Sequence, residues 1–203
     1  MEMVKVALAK GRLGKQVVKL MENTPYGDVV DLDSRKLIFN DNFKNIQYIL
    51  MKPMDVPTYV NSGIVDIGVV GKDVIMESEA DIYEIKDLGI GKCKFSIAAL
   101  KGSDRYKQSS TLRIATKYPN VAREYYKDEK RPIKIFKLNG SVELAPLIGM
   151  SDVILDIVET GNTLRANGLE VIADVCDISG KIIANKGSYR FKYKEITDFV
   201  NQF

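Results

Sequence analysis

The strongest constraint on this chain is an alternation that runs through almost all of it. Apolar runs of strand length are followed by stretches whose apolar residues recur every three or four positions. Strand VKVALA leads into helix-like LGKQVVKLMEN, then strands KLIFN and IQYILM. A helix DVPTYVNSG follows, opened by Asp55 with Pro57 in its first turn, then strand IVDIGVVG, helix KDVIMESE and strand YEIKDLG. After KFSIAAL the order repeats in kind: LRIAT, NVAREYYKDE, IKIFKL, SVELAPLIG, VILDIV, TGNTLRANG, LEVIADV. Such alternation predicts an α/β fold.

No Ser/Gly linker, low-complexity tract or internal repeat divides the chain, and 203 residues suffice for one large or two small domains. A hinge must then be built from ordinary strands, with a first crossing expected between Gly89 and Cys93. The tail GSYRFKYKEITDFVNQF ends in an amphipathic helix that needs a surface to cover. Returning it to the first domain gives a second crossing between Cys176 and Ser179. The expected domains are 1–90 plus 178–203, and 91–177: two α/β lobes joined by two strands around a cleft, where small ligands bind.

Charge narrows the partners. Thirty basic against 27 acidic residues give a net charge of +3, too weak a bias to predict nucleic-acid binding. No window approaches a membrane span, and MEMVKVALAKGRL does not read as a secretory signal, so a cytoplasmic protein with no membrane role is expected. Cys93 and Cys176 lie in strand-like runs and read as buried reduced thiols. The chain contains no histidine, so its chemistry must proceed without imidazole as acid, base or zinc ligand.

The segment VILDIVETGNTL, residues 153–164, concentrates chemistry. An apolar strand carries Asp156 and reaches Glu159, the chain turns through Thr160, Gly161, Asn162 and Thr163, and LRANG begins a helix. Glycine allows close backbone approach, the hydroxyls add donors, and free amides at the helix start suit a phosphate. The upstream acids suit sugar hydroxyls instead, so phosphate and sugar together point to a ribose 5-phosphate. The plainer reading is a strand ending in a helix capped by Thr160 with solvated acids. Side chains alternate along a strand, so Asp156 and Glu159 should leave opposite faces unless the turn has begun; Asp156 is the firmer candidate.

This turn resembles the loop that binds 5-phosphoribosyl 1-pyrophosphate (PRPP) in phosphoribosyltransferases. Together with LAKGRL, SRKLIF, DVPTYVNSGIVDIGVVGKD, ATKYPNVA and KLNGSVELAPLIG it resembles, nearly end to end, the short form of ATP phosphoribosyltransferase, the first enzyme of histidine biosynthesis. The resemblance implies a two-lobed fold like the type II periplasmic binding proteins, with the active site in the interlobe cleft. It implies transfer of phosphoribosyl from PRPP to N1 of the adenine of ATP, with inversion, and Mg2+ carried on the PRPP pyrophosphate. Thr160, Gly161, Asn162, Thr163 and Leu164 would cradle the 5-phosphate, with Glu143 and Asp156 facing the ribose and Glu159 beside them. Lys10, Gly11 and Arg12 would meet substrate phosphates. Arg35 would reach the purine or its phosphates. Asp66, among small and apolar residues, reads either as part of a capped turn or as a carboxylate lining the nucleotide pocket beside the backbone of Ile67 and Gly68, and the pocket is the expectation. Lys117 and Tyr118 would lie near the PRPP side, although an aromatic before proline also suits packing.

Lys52 stands where the family usually has an arginine thought to help pyrophosphate leave; lysine keeps the charge and loses the fork. The resemblance also implies a regulatory subunit like histidyl-tRNA synthetase, and a homodimer of this chain within a hetero-oligomer. A salvage phosphoribosyltransferase using a free base and a non-catalytic two-lobed solute-binding protein are the competing readings.

Overall fold

The computed structural model describes residues 3–22, 24–26 and 29–203. In chain order the elements are β1 Val4–Ala9, α1 Arg12–Met21, β2 Ile38–Asp41, β3 Ile46–Met51, α2 Val56–Asn61, β4 Ile67–Gly71, α3 Lys72–Ser78 and β5 Tyr83–Asp87. Then follow β6 Cys93–Leu100, α4 Arg105–Gln108, β7 Leu112–Thr116, α5 Pro119–Tyr125, β8 Ile133–Lys137, α6 Leu144–Leu147, β9 Val153–Val158, α7 Asn162–Ala166 and β10 Leu169–Ile178. The chain closes with β11 Gly180–Ala184, α8 Lys186–Phe191 and α9 Tyr193–Val200. It divides into two compact units, Met1–Gly91 with Ser179–Phe203, and Lys92–Ile178.

The first unit is built on a six-stranded sheet of order β2-β3-β1-β4-β11-β5. Strands β3, β1 and β4 run parallel, so their side chains alternate between two faces in step. Val6, Leu8, Tyr48, Leu50, Ile67 and Val69 project to one face, where Val17 and Met21 of α1 and Ile196 and Phe199 of α9 cover them. Ala7, Ala9, Val70 and Ile183 project to the other, under Val56 and Val60 of α2. The C-terminal helix therefore does cover a surface, burying Ile196, Phe199 and Val200 at i, i+3 and i+4. Burying side chains of this size stabilises by about 2 kcal/mol each.

Ahead of that tail lies a strand that the pattern did not announce. GKIIA forms β11, inserted antiparallel between β4 and β5. Five residues are too short for periodicity to separate strand from helix, and Ile182 and Ile183 are buried on opposite faces, which removes the polar alternation that marks a half-exposed strand.

The second unit has a five-stranded sheet of order β10-β6-β9-β7-β8. Here β8, β7 and β9 are parallel, and β6 alone is reversed, antiparallel to both of its neighbours, β9 and β10. Ala98 and Ile154, cross-strand partners, share a face with Val142, Ala145 and Leu164. On the opposite face Phe95 meets Tyr118 edge-on, with ring centroids 4.9 Å apart. Tyr118 is thus a core residue, fixed further by its amide donating to Thr116 Oγ1.

The two cysteines are free, but half-buried rather than buried. Cys176 lies on β10, an edge strand, where only one neighbour shields it. No helix among the described residues is long and apolar enough to cross a membrane.

Candidate functional site

In the second unit β9 ends at Val158, and Glu159, Thr160 and Gly161 form a bend into α7. Gly161 sits at φ 70°, ψ 8°, a left-handed conformation costly for any residue with a Cβ. That glycine, not Thr160, takes the N-cap position, and no side chain caps the helix. Thr160 Oγ1 instead accepts from the Asn162 amide at 3.4 Å. The first-turn amides of Thr163 and Leu164 have no acceptor within the helix. Leu164 is buried against the sheet and pins the turn. With five residues, α7 is too short for much macrodipole, so any anion here would be held by individual amides and hydroxyls.

For the two acids the turn has already begun, the exception that the alternation argument allowed. Glu159 lies beyond the strand, so strand parity no longer governs it. Asp156 pairs directly with Ser96 across β9 and β6, and directly opposed residues share a face. Ser96 lines a surface pocket of about 540 Å³ together with Glu159, Thr160, Gly161, Lys94 and Asp174. Both acids and the turn therefore belong to one side of the sheet. Asp156 Oδ1 accepts from the Ile157 amide at 2.8 Å. Glu143, at the N-cap of α6, lies between Val142 and Ala145, which pack on that same face.

Sequence reasoning had not singled out Lys94, Ser96, Asp174 or Arg165. Lys94 Nζ donates to Asp174 Oδ2 at 2.7 Å and Ser96 Oγ to Asp174 Oδ1 at 2.9 Å. The Lys94 hydrogen bond, then that from Ser96, holds the Asp174 carboxyl below its usual range. These residues come from antiparallel strands far apart in sequence, and only pairing brings them beside the turn.

In the first unit the C-terminal ends of the parallel strands carry the candidate phosphate ligands. Lys10, Gly11 and Arg12 join β1 to α1, and the Lys10 amide donates to Met51 O at 2.8 Å, holding them beside Lys52 at the end of β3. Arg35 precedes β2, whose start is brought to the same edge by the Leu50 amide donating to Leu37 O. Gly11, Arg12, Arg35 and Lys52 are exposed. Helix α1 begins with Arg12, without an acid in its first turn or a side-chain cap, an arrangement better suited to an external anion than to an isolated helix.

Two expectations fail in this unit. Asp66 does not line a nucleotide pocket: it is buried at the opposite end of the sheet, five positions along β1 from Lys10 in register, about 17 Å away. Its Oδ2 accepts from the Lys5 amide at 2.8 Å and from Lys192 Nζ at 3.1 Å, tying α9 to β1 and β4. Gly68 is a packing glycine in mid-strand. A Cβ there would fall 2.6 Å from Val56 Cγ1 and 2.9 Å from Val60 Cγ2, so α2 fills the space a ligand would need.

Comparison with known proteins gives one answer over the whole chain. The family model for ATP phosphoribosyltransferase matches residues 52–203. An ATP phosphoribosyltransferase of Clostridioides difficile is 54% identical over 203 residues, covering 100% of this chain and 98% of that protein. One of Oceanobacillus iheyensis is 51% identical, covering 100% and 97%. Among solved structures, a chain from the ATP phosphoribosyl transferase (HisG:HisZ) complex of Thermotoga maritima superposes with a TM-score of 0.87 at 34% identity, covering 98% of this chain and 96% of that one. The alkanesulfonate-binding protein SsuA of Xanthomonas axonopodis pv. citri, bound to MOPS, reaches a TM-score of 0.57 at 12% identity, covering 100% and 72%. That likeness concerns the fold alone, which is of the type II periplasmic-binding-protein kind.

Proposed function

The chain belongs to the ATP phosphoribosyltransferase family, and from that premise we propose that it joins C1 of PRPP to N1 of the adenine of ATP, with inversion, releasing pyrophosphate. The product, N1-(5-phosphoribosyl)-ATP, opens histidine biosynthesis. The observation that carries the residue-level reading is the left-handed Gly161 turn at the end of β9, on the same side of the sheet as Asp156, within the span that the family model matches.

In this reading the backbone from Thr160 to Leu164 and the hydroxyls of Thr160 and Thr163 hold the 5-phosphate. Asp156 and Glu143 accept hydrogen bonds from the ribose, and Glu159 borders them. Lys10, Gly11, Arg12 and Arg35 bind the phosphates and purine of ATP, while Lys52 draws charge from the departing pyrophosphate. Adenine N1 is already a lone-pair nucleophile, so no imidazole base is needed. The barrier lies in parting pyrophosphate from a carbon gaining oxocarbenium character, a task for orientation and fixed charge. Mg2+ on the pyrophosphate supplies further neutralisation when PRPP binds.

The relative solved in complex with a second protein, HisZ, supports a protein partner for this chain; we infer that the partner is a regulatory subunit resembling histidyl-tRNA synthetase and that this chain forms a homodimer within the hetero-oligomer. The test is ultraviolet absorbance with ATP, PRPP and Mg2+, with and without that partner. Adduct formation is expected. Turnover with a free base in place of ATP would instead make the protein a salvage enzyme, and co-elution with the partner in size-exclusion chromatography checks the assembly.

A further inference from the structure

We propose that Arg165 is a positioning residue for PRPP, whose guanidinium holds the Thr160–Asn162 turn in its anion-accepting shape before substrate arrives. Arg165 lies on α7, and its amide donates to Gly161 O at 3.0 Å. Its side chain runs back toward the start of the helix, the direction helical side chains favour. There Nη2 donates to Thr160 O at 2.9 Å and to Asn162 Oδ1 at 2.5 Å. One nitrogen thus grips the residue before and the residue after the left-handed glycine, and both its hydrogens are committed. Nη1 closes the third side, lying 3.0 Å from where a Cβ on Gly161 would stand.

The consequence is electrostatic and entropic. The Thr160 carbonyl is held on the guanidinium, where its oxygen cannot turn toward an incoming phosphate and repel it. A turn containing glycine loses much conformational freedom when it orders, and a clamp made within the chain removes that cost from the binding step. Lysine is a weaker substitute: its ammonium could donate to both acceptors, but it has no planar group to fix the direction of its hydrogens and no second nitrogen to stand beside Gly161 where Nη1 does. Lys94, Glu159 and Asp174 line the same pocket, so the guanidinium stands among charges of both signs rather than in a purely cationic phosphate site.

This inference rests on the reading that residues 160–164 hold the 5-phosphate, and the experiment separates the two. Steady-state kinetics would be measured for the full chain with its regulatory partner, comparing wild type with R165M, R165K, N162A, R165M/N162A and T163A. R165M should raise KM for PRPP about tenfold while kcat and KM for ATP stay within about twofold. R165K should not restore it, and the double variant should match R165M alone, because both changes break one clamp. Hydrogen exchange of the substrate-free protein should quicken at amides 160–163 in R165M and nowhere else. Wild-type KM for PRPP in R165K, additive effects in the double variant, or unchanged exchange would overturn the clamp. A raised KM in T163A with none in R165M removes the clamp and keeps the phosphate site; an unchanged KM for PRPP in both variants removes both.

Discussion

The two units offer ligands at the C-terminal ends of parallel strands, but by different means. In the first, the edge is a row of cations, half-buried Lys10 and exposed Arg12 and Lys52, set just beyond the ends of β1 and β3. In the second, the edge after β9 is a backbone turn whose geometry depends on Gly161 at positive φ and on the hydrogen bonds of Arg165, with carboxylates beside it. A side-chain cation can bend to its ligand and tolerates replacement by another cation. A backbone cradle has no such freedom, since its donors move only with the chain. Substitutions should therefore be graded at the first edge and abrupt at the second.

Gly161→Val is the hardest blow to that contrast. A β-branched residue at φ 70° is strained, and its side chain enters the space near Arg165 Nη1, so kcat/KM for PRPP should fall at least about 100-fold with the fold intact by circular dichroism. Equal loss of kcat/KM for ATP and PRPP would mean the turn is not specific to one substrate.

Asp66→Asn probes the opposite end of the first sheet, away from either edge. Losing the charged partner of Lys192 and weakening the bond from the Lys5 amide should lower stability by about 2 kcal/mol in urea denaturation, leaving both KM values unchanged. A raised KM for ATP would return Asp66 to the nucleotide pocket.

Lys52→Ala should reduce kcat about tenfold, and Lys52→Arg should change it by no more than about twofold, since charge rather than fork geometry is what an exposed strand-end residue offers. If Ala and Arg both leave kcat unchanged, Lys52 drops out of the mechanism.

The smallest effect concerns Asp87, near where the first unit hands the chain on. Lys181, the Gly89 amide and Ser179 all donate to it and lower its pKa from 3.8 to about 2. A depressed carboxylate stabilises the fold fully above its unfolded pKa and loses that contribution as pH falls through the folded value. Acid titration of wild type against Asp87→Asn should therefore diverge above about pH 4 and converge as pH approaches 2. Parallel curves throughout would show that the carboxylate contributes nothing there.

Much of this contrast is legible in the chain itself. The T-G-N-T turn after an apolar strand needs only local chemistry to be recognised, as does K-G-R after VKVALA. Asp66 was misread for an instructive reason. An acid among small apolar residues reads the same whether it lines a pocket or is buried with a partner, and its partners, Lys5 and Lys192, are 61 and 126 positions away. Gly68 was misread likewise, because close packing under α2 and close approach of a ligand both call for a residue without a Cβ. Arg165 carried no local signal, being one more basic residue on a short helix.

The sequence alone determined the α/β class, the main strands and helices, and the turn that most resembles a phosphate loop, because periodicity, glycine and proline act over a few neighbouring residues. Only the tertiary structure decided that GKIIA is a central strand, that Asp66 and Gly68 serve packing, and that Ser96, Lys94 and Asp174 stand beside the turn. Those outcomes depend on which strands pair and in what register, a choice set by burial of the whole sheet and not by any one segment.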